Sequence, residues 1–572
     1  MDEKADAQRQ SRPRLHLLTA SLRGYKLRWR RYFGHYGLLS VHGSLFYHGF
    51  YVRQLVEFLL QTYQAYHISR SVPRVWINRF VVAMIIINCI YAPLVNVVLK
   101  LHPAWRRVMN LLIDVLIDFA IAVIVPLCVF LPRVYQMNWP TPEYPPELIY
   151  NDVWLAGALS EGRQIMVTSV IDYISSMSPH FIGFMDIRTI ERLLQRAPVI
   201  TSRSGNTRSQ VTPDVSKSHP PSPPIPSLPP ALARLSFSLN REERVKIRRA
   251  QSAFTIVTAV WAIGVLVLHC KAGGMQSGKE VGCELFSGAW WVSKPACSIV
   301  HLNCHRLNVQ GEEEEMATPL AAFDPLLITK VTFSHCSALN VPAHVTKLQN
   351  LQNFEIFNCT IAAWHTSAAF SQANHPLLSR VNVIDTNLTS LPGGILHSSL
   401  PSNMVLRFYR GNLSVLPEDI GHVWAAHRWS FLYFEYTQLR ALPVSFGALQ
   451  LHRLSLEYNQ LDHIDDELLK NQRLYRVRLS GNPMSSLPAS IGSTSILQRV
   501  ALEHTNISSI PAWLRDWWAT VTETQRAGVA FSLFGSPICE LESHRNAPFC
   551  QPIPVARRDA FPYDVIANQR PY

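Results

Sequence analysis

A nine-residue pattern returns eight times from Ile328 onward: apolar-x-x-apolar-x-apolar-x-x, closed by Asn, Cys or Thr. It is cleanest over Leu451–Asn459, Leu474–Asn482 and Leu497–Thr505, and earlier copies start at Ile328, Leu351, Leu378, Asn403 and Trp429. Successive copies are 23, 27, 25, 26, 22, 23 and 23 residues apart. A period held in register over that many copies marks a stacked array, because one unit of this size cannot bury its own apolar face. The alternation within each copy predicts one strand per repeat in a parallel sheet, apolar side chains inward. The ninth residue turns inward and satisfies backbone groups of the tight turn. Leu391-Pro392, Leu416-Pro417, Leu442-Pro443, Leu487-Pro488 and Ile510-Pro511 then open the return path on the convex side. The fourth copy departs from the pattern, with Asn403 in an apolar slot and Gly411 at the ninth position.

Over Ile328 to roughly Trp518 this resembles the leucine-rich repeat family, and the Leu-Pro-x-x-Ile form resembles its short class of about 23 residues. The resemblance implies an α/β solenoid of about eight repeats with a concave parallel sheet that binds a protein or peptide. The outward strand positions are Arg407, Tyr409, Arg410, Tyr433, Glu435, Tyr436, Arg453, Glu457, Tyr458, Arg476, Arg478, Arg499, Glu503 and His504. Tyr and Arg combine contact area with hydrogen bonding and are enriched at binding hot spots. The cysteines at either end resemble the caps that seal such solenoids. Cys283, Cys297 and Cys304 precede the repeats, within a front cap over 270–327; Cys539 and Cys550 follow them, in a C-terminal cap and tail over 519–572. The expected pairs are Cys283–Cys304 or Cys297–Cys304 in front and Cys539–Cys550 behind, with Cys336 and Cys359, both at ninth positions, as free core thiols. Four N-x-S/T sequons, Asn358, Asn387, Asn412 and Asn506, all fall inside the repeats, and the last three each sit one residue after a ninth position. They are candidate glycosylation sites.

The rest of the chain reads as membrane protein. Charged residues make up only 16% of the chain and are unevenly spread. Lys/Arg against Asp/Glu is 13 to 4 over 1–79, 3 to 2 over 80–131, 14 to 10 over 132–250 and 23 to 24 over 271–572. A basic excess confined to the first 250 residues argues against a nucleic-acid binder and for basic cytosolic segments. Residues 80–99, 112–131 and 251–269 are each long and apolar enough to span a bilayer. Arg241, Arg244, Lys246, Arg248 and Arg249 crowd the front of the third. Three spans from a cytosolic N-terminus place the repeats outside, in an integral protein of the plasma membrane, with the first span as signal anchor. One detail conflicts: Lys100, Arg106 and Arg107 would then lie outside. Asp114 and Asp118, four apart on the second span, share a helix face; the expectation is that they stay protonated or bond Asn88 or Asn96.

Between the spans, 132–200 reads as a small cytosolic helical segment. Glu161–Met177 and Asp186–Arg196 carry helical spacing, interrupted at Ser178-Pro179-His180. Leu55–Tyr66, in the basic 1–79 region, is similarly amphipathic. Residues 201–250 form a Pro/Ser-rich linker with a basic end; its proline run favours extended backbone and offers PxxP segments to a cytosolic partner. Ser and Thr over Thr201–Ser218 are candidate phosphorylation sites. Signs of chemistry are few. Gly273–Lys279 approaches a phosphate-binding loop, but Glu280 stands where Ser or Thr is needed. His301, Cys304 and His305 have ligand types, yet a disulfide is the better use of Cys304. No kinase or G-x-S-x-G signature occurs. The expectation is a receptor-like or adhesion protein with no catalytic domain, metal or cofactor. The alternative resembles volume-regulated anion channel subunits, with cytosolic repeats after an even number of spans, Ile165–Phe184 serving as the fourth.

Overall fold

The computed structural model describes residues 46–98, 103–139, 144–165, 169–194, 241–276, 281–470, 473–492, 496–520, 530–554 and 560–572. The proline-rich linker, the Thr201–Ser218 sites and the first 45 residues lie outside the described residues. The chain folds as two compact units. A helical unit takes residues up to 68 together with 75–132 and 163–270; a repeat unit takes 69–74, 133–162 and 271–572. The segment 132–200 therefore does not fold as one body.

Five long helices build the helical unit: α1 (Phe46–Ser71), α2 (Val75–Val98), α3 (Pro103–Phe119, continuing through a π-turn at Ala120–Ile124 into Val125–Tyr135), α5 (Val170–Leu194) and α6 (Arg241–Gln276). A shorter α4 (Asp152–Ile165) precedes α5. Three of them are long and apolar enough to cross a membrane, over Val75–Val95, Val108–Tyr135 and Arg248–Met275. Gly273 of the apparent phosphate-binding loop lies inside α6, not in a loop.

The interior of this unit is mostly apolar, with Tyr91, Val95, Ile117 and Ile121 in one cluster, but it also encloses a group of buried polar side chains. Asp114 accepts from Gln54 Nε2 at 2.7 Å and pairs with Arg53 at 3.2 Å. Asp118 accepts from Gln61 at 3.3 Å. Both acids thus find partners on α1, not at Asn88 as expected from the sequence; Asn88 instead donates to Glu57 and Gln61, each at 2.9 Å. The side chain of Asn96 lies outside the described residues. Buried polar groups on adjoining helices partner one another in part, which offsets some of the cost of burying them.

Pro179, expected to break the helix, lies within α5. A proline leaves the carbonyl four residues back without its amide donor. Here that carbonyl, Ser175 O, accepts from the Ser178 hydroxyl at 3.0 Å and from Gln64 Nε2 of α1 at 2.6 Å. Two side chains replace the lost donor, so the helix runs on.

In the repeat unit eleven strands form one sheet in strict chain order. They are β1 (Cys283–Phe286), β2 (Cys297–Asn303), β3 (Lys330–Ser334), β4 (Asn353–Phe357), β5 (Arg380–Thr386), β6 (Val405–Gly411), β7 (Phe431–Glu435), β8 (Arg453–Ser455), β9 (Arg476–Arg478), β10 (Arg499–Ala501) and β11 (Ala530–Ser532). Only β1 runs antiparallel. The eight expected strands are β3 to β10; the sheet extends beyond them into both caps, where β2 and β11 pair in parallel with the repeats. One row of paired residues shows why the apolar spacing works. Val300, Val331, Phe354, Val381, Leu406, Leu432, Leu454, Val477, Val500 and Phe531 stand side by side along the sheet, all buried.

At the ninth positions, Asn459 Nδ2 donates to Phe434 O at 2.7 Å and Leu456 O at 3.0 Å. Asn482 Nδ2 donates to Leu456 O and Leu479 O at 2.8 and 2.7 Å. The irregular fourth repeat folds like the others, and Gly411 has a steric reason: a Cβ there would come within 2.8 Å of Thr386 O. The residue before each ninth position is left-handed: His335, Asn358, Asp385, Arg410, Tyr436, Tyr458, Gly481 and His504 have φ between 49° and 73°. Each non-glycine residue there costs on the order of 1 kcal/mol, which the stacked hydrogen bonds outweigh.

The disulfides are Cys283–Cys297, Cys304–Cys336 and Cys539–Cys550. The rear pair is as expected; the two front pairs correct the expectation, and Cys336 is bonded rather than free. Its ninth-position side chain points inward from the first repeat, where Cys304 of the adjoining cap meets it. Cys359, one repeat further in, keeps its thiol and accepts from the Cys336 amide at 3.3 Å. The two ninth-position cysteines should therefore respond differently. Cys336→Ser removes a crosslink over 32 residues, typically worth about 2–4 kcal/mol. Cys359→Ser keeps a small inward donor and should cost roughly 1 kcal/mol or less. Thermal midpoints of the two variants check this; equal shifts would contradict it.

Candidate ligand-binding face

The sheet's outward side chains divide into two groups. Arg410, Tyr436, Tyr458 and His504 are exposed along one rim, because the left-handed residue of each repeat turns its side chain out of the sheet. Tyr436 stacks on Tyr458 with ring centres 4.3 Å apart, and Tyr409 lies 5.3 Å from Tyr436. Gly481 extends this rim by having no side chain: a Cβ there would come within 2.5 Å of the Tyr458 ring.

Arg407, Tyr433, Glu435, Glu457, Arg478, Arg499 and Glu503, expected on the open face, are buried. Two causes account for this. Some of the charges cover each other: Arg478 pairs with Glu435 at 3.1 Å and also with Glu457. Burial raises the Glu457 carboxyl above its usual range; Arg478 opposes the shift and Glu435 adds to it. Arg453 and Arg476 stay partly open, Arg453 lying 4.4 Å over the Phe431 ring and Arg476 5.3 Å over Tyr475. Second, the chain's own C-terminal segment covers part of the face, which the sequence reading did not foresee.

Residues 560–572, with helix α7 (Tyr563–Asn568), pack on the strands from β2 to β6. Phe561 is buried against Tyr409, 4.7 Å away, under the Arg407 guanidinium at 4.2 Å. Ile566 joins Phe357 and Ile384 in a small apolar cluster. The Tyr563 hydroxyl bonds Asp385, and its ring lies 4.4 Å from the Arg410 guanidinium. Burial and that bond push the Tyr563 phenol up to about 12, and burial pushes Tyr409 up to about 12. Both stay protonated at neutral pH.

Arg570 is the anchor. It pairs with Glu355 at 2.9 Å and with Asp152 of α4, and Lys330 pairs with the same two carboxylates, Glu355 at 3.0 Å. Two cations and two anions make a neutral, largely buried cluster, with Asp152 at its more open edge. Burial lowers the Lys330 ammonium and Glu355 works against that shift. Beyond the anchor, Asn303 Nδ2 donates to Pro571 O at 3.1 Å. The Tyr572 ring lies 4.3 Å from that of His335. Its hydroxyl accepts from Asn358 Nδ2 at 2.9 Å. An open groove of about 930 Å³ remains beside the segment, lined by Asp385, Arg410, Asn412 and Tyr436 among others.

His335 should make this docking sensitive to pH. Burial lowers its imidazole below the usual histidine range; the Arg570 carbonyl opposes this and the charges of His301, His305 and Arg306 reinforce it. The neutral ring accepts from Asn358 at Nδ1, 2.9 Å, and donates to Arg570 O at 2.8 Å. A histidine depressed in the folded state contributes fully above its free value of 6.5 and loses that contribution as pH falls below it. Protease cleavage within 560–572 should therefore be faster at pH 5.5 than at 7.5, and His335→Gln should reduce the difference.

The sequons divide as well. Asn387 and Asn506 are exposed. The Asn358 amide is shared between His335 and Tyr572, and that of Asn412 donates to Asn387 at 2.7 Å. His301, a candidate ligand, is held by Glu284 at 2.7 Å and Ser334 at 2.8 Å. Among the described residues no group of His, Cys, Asp and Glu has metal-binding geometry.

No protein-family model matches the chain, and no curated protein matches it. Solved structures similar to it include the Leptospira interrogans leucine-rich repeat protein LIC12759, with 16% identity over 40% of this chain and 59% of that one, TM-score 0.29. Another is the Drosophila Toll–Spatzle complex, 17% over 34% and 32%, TM-score 0.23. A third is YopM from Yersinia enterocolitica, 18% over 38% and 53%, TM-score 0.18. Each match spans less than two-thirds of the other chain. The chain's own strand register, left-handed ladder and inward ninth positions carry the identification: residues 328–518 are a leucine-rich repeat solenoid, in a chain that also carries, among the described residues, three helices apolar enough to cross a membrane.

Proposed function

We propose that the protein is a membrane-anchored recognition protein of the cell surface, with its solenoid on the exoplasmic side and a protein or peptide ligand on its concave face. It has no catalytic domain of its own in this reading. The observation that carries the reading is the seating of residues 560–572 on that face, by aromatic rings against Tyr and Arg and by one arginine in a carboxylate pair. A surface that holds a peptide by these groups suits a ligand that presents an aromatic residue and an arginine at similar spacing. In this reading the ligand competes with the chain's own segment, and Arg453, Arg476, Tyr436 and Tyr458 give it a first foothold. Three disulfides and the sequons, two with exposed asparagines, favour an oxidising compartment. The channel alternative needs an even number of spans and leaves the disulfides without a role.

The test is enzymatic removal of N-glycans from protein made in eukaryotic cells. A mobility shift is expected, with glycan mapped to Asn387 and Asn506; a glycan on Asn358 would take the amide that Tyr572 uses. The shift should vanish when all four sequon asparagines are changed to Gln. No shift, together with a C-terminal epitope reached only after permeabilisation, would overturn the exoplasmic placement.

A further inference from the structure

Helices α1 and α5 are 26 and 25 residues long, about 39 and 37 Å at 1.5 Å per residue. That exceeds the ~30 Å hydrocarbon core of a bilayer. They are less apolar than the three composition-defined spans because each carries several polar side chains that are turned inward, beside buried Phe58 and Ala65 of α1 and Ile182 of α5. Gln54, Glu57 and Gln61 of α1, and Ser175 and Asp186 of α5, are each at most 2% exposed. Their other sides are mostly apolar and bare: Val52, Leu59, Val170, Ile174, Phe181 and Phe184 are 51–75% exposed, with His180 and Arg188 of α5 as exposed polar exceptions. In water this arrangement would be inverted. Surrounded by lipid, it is the expected one.

The pairing of these helices sets their depth. On α1, Tyr51 stacks on Phe254 of α6 at 4.6 Å, and Thr62 accepts from Trp261 at 3.0 Å, so α1 runs parallel to α6. Against α5 the order is reversed: Arg53 pairs with Asp186 and Tyr63 with Asp172, the latter at 3.0 Å. A helix matched along its length to a spanning helix lies at the same depth.

The connecting segments agree. Residues 69–74, 133–162 and 271–572 belong to one folded unit, and Asp152 is ion-paired with both Lys330 and Arg570. One folded unit occupies one aqueous compartment. Three crossings at α2, α3 and α6 would put 133–162 and the repeats on opposite sides. Adding α1 and α5 puts them together. It also collects the basic segments on the opposite side. Residues 1–45, 99–107 and 195–250 hold 22 Lys/Arg and 6 Asp/Glu, whereas 71–74 and 133–169 hold 3 and 4. Lys100, Arg106 and Arg107 no longer conflict.

We infer that the chain crosses the membrane five times, with α1 and α5 as the two further spans and lipid acyl chains covering their bare apolar faces. The count does not depend on which compartment holds the repeats, so it can fail or stand separately from the exoplasmic reading. The experiment is protease protection of the full chain in sealed microsomes, with a protease site inserted after Thr141 or within 210–220 and epitopes at each terminus. The site after Thr141 should share the protection state of the repeats. The N-terminus and the 210–220 site should share the opposite state. If the site after Thr141 and the repeats lie on opposite sides, three crossings are right and the inference is overturned. An N-terminus on the same side as the repeats means an even count and overturns it equally. If the whole pattern is inverted, five crossings stand and the exoplasmic placement falls.

Discussion

Arg570→Ala should release the C-terminal segment from the concave face. The guanidinium is 3% exposed and makes two of the four ion pairs in the cluster with Asp152, Glu355 and Lys330. Without it, buried Glu355 and largely buried Asp152 share one ammonium, leaving a unit of negative charge in the cluster. Breaking a buried pair by removing one partner costs about 3–5 kcal/mol, mostly for the charge left behind. The docked-to-released ratio should fall by roughly 10² to 4 × 10³ on that account, at 1.4 kcal/mol per factor of ten. Amide exchange over 560–572 should accelerate by a comparable factor, while protection of the β7 to β10 strands stays unchanged. Arg570→Lys restores the charge but not the fork and should fall between the two. With the segment released, a peptide spanning residues 560–572 should bind in trans, and Phe561→Ala in that peptide should weaken it. If amides over 560–572 exchange at the same rate in Arg570→Ala and in the parent, the cluster does not hold the segment.

The repeats were legible because their signal is local and periodic. Each copy declares its strand within nine residues, and eight copies correct one another, so even the fourth, with Asn403 and Gly411, falls into register. The occupant of the face was not legible, because 560–572 has no period and its partners are far off in sequence. Arg570 meets Asp152 from 418 residues away and Glu355 from 215. The buried state of Arg407, Tyr433 and Glu503 follows from such distant neighbours, not from their strand positions. Pairing of Cys304 with Cys336 lay between these cases. Both residues were visible, but the ninth-position pattern made Cys336 and Cys359 look equivalent, and only adjacency to the cap separates them. The polar residues of α1 lowered its hydropathy enough to hide it among surface helices, and in α5 Asp172 and Pro179 left Ile165–Phe184 as a span only in the alternative reading. What marks them is the direction in which the polar side points, and that is a property of packing.

Asn482→Ala should be among the most damaging single changes in the repeat unit. Its side chain is 1% exposed and serves three backbone groups: it donates to Leu456 O at 2.8 Å and Leu479 O at 2.7 Å, and accepts from Leu461 N at 3.2 Å. Alanine leaves all three without their partner in a dry interior, at about 1–3 kcal/mol for each unsatisfied group. Even with relaxation, a loss of roughly 3–6 kcal/mol is comparable to the whole stability of many domains. Two controls separate hydrogen bonding from packing. Asn482→Asp keeps the shape and the acceptor but turns an anion toward two carbonyls, so it should be at least as damaging. Asn482→Thr should recover part of the loss, because Thr505 in the corresponding place donates to Leu502 O at 3.0 Å, three residues back. Each repeat is stabilised by its neighbours, so the damage should reach the strands at 453–455 and 499–501 before the front cap with its own disulfides. The order expected in urea midpoint, for the full chain in detergent, is parent, Thr, then Ala and Asp together. A midpoint for Asn482→Ala equal to the parent's would mean that these bonds are replaced by water, and that the inward asparagine does not hold the turn closed.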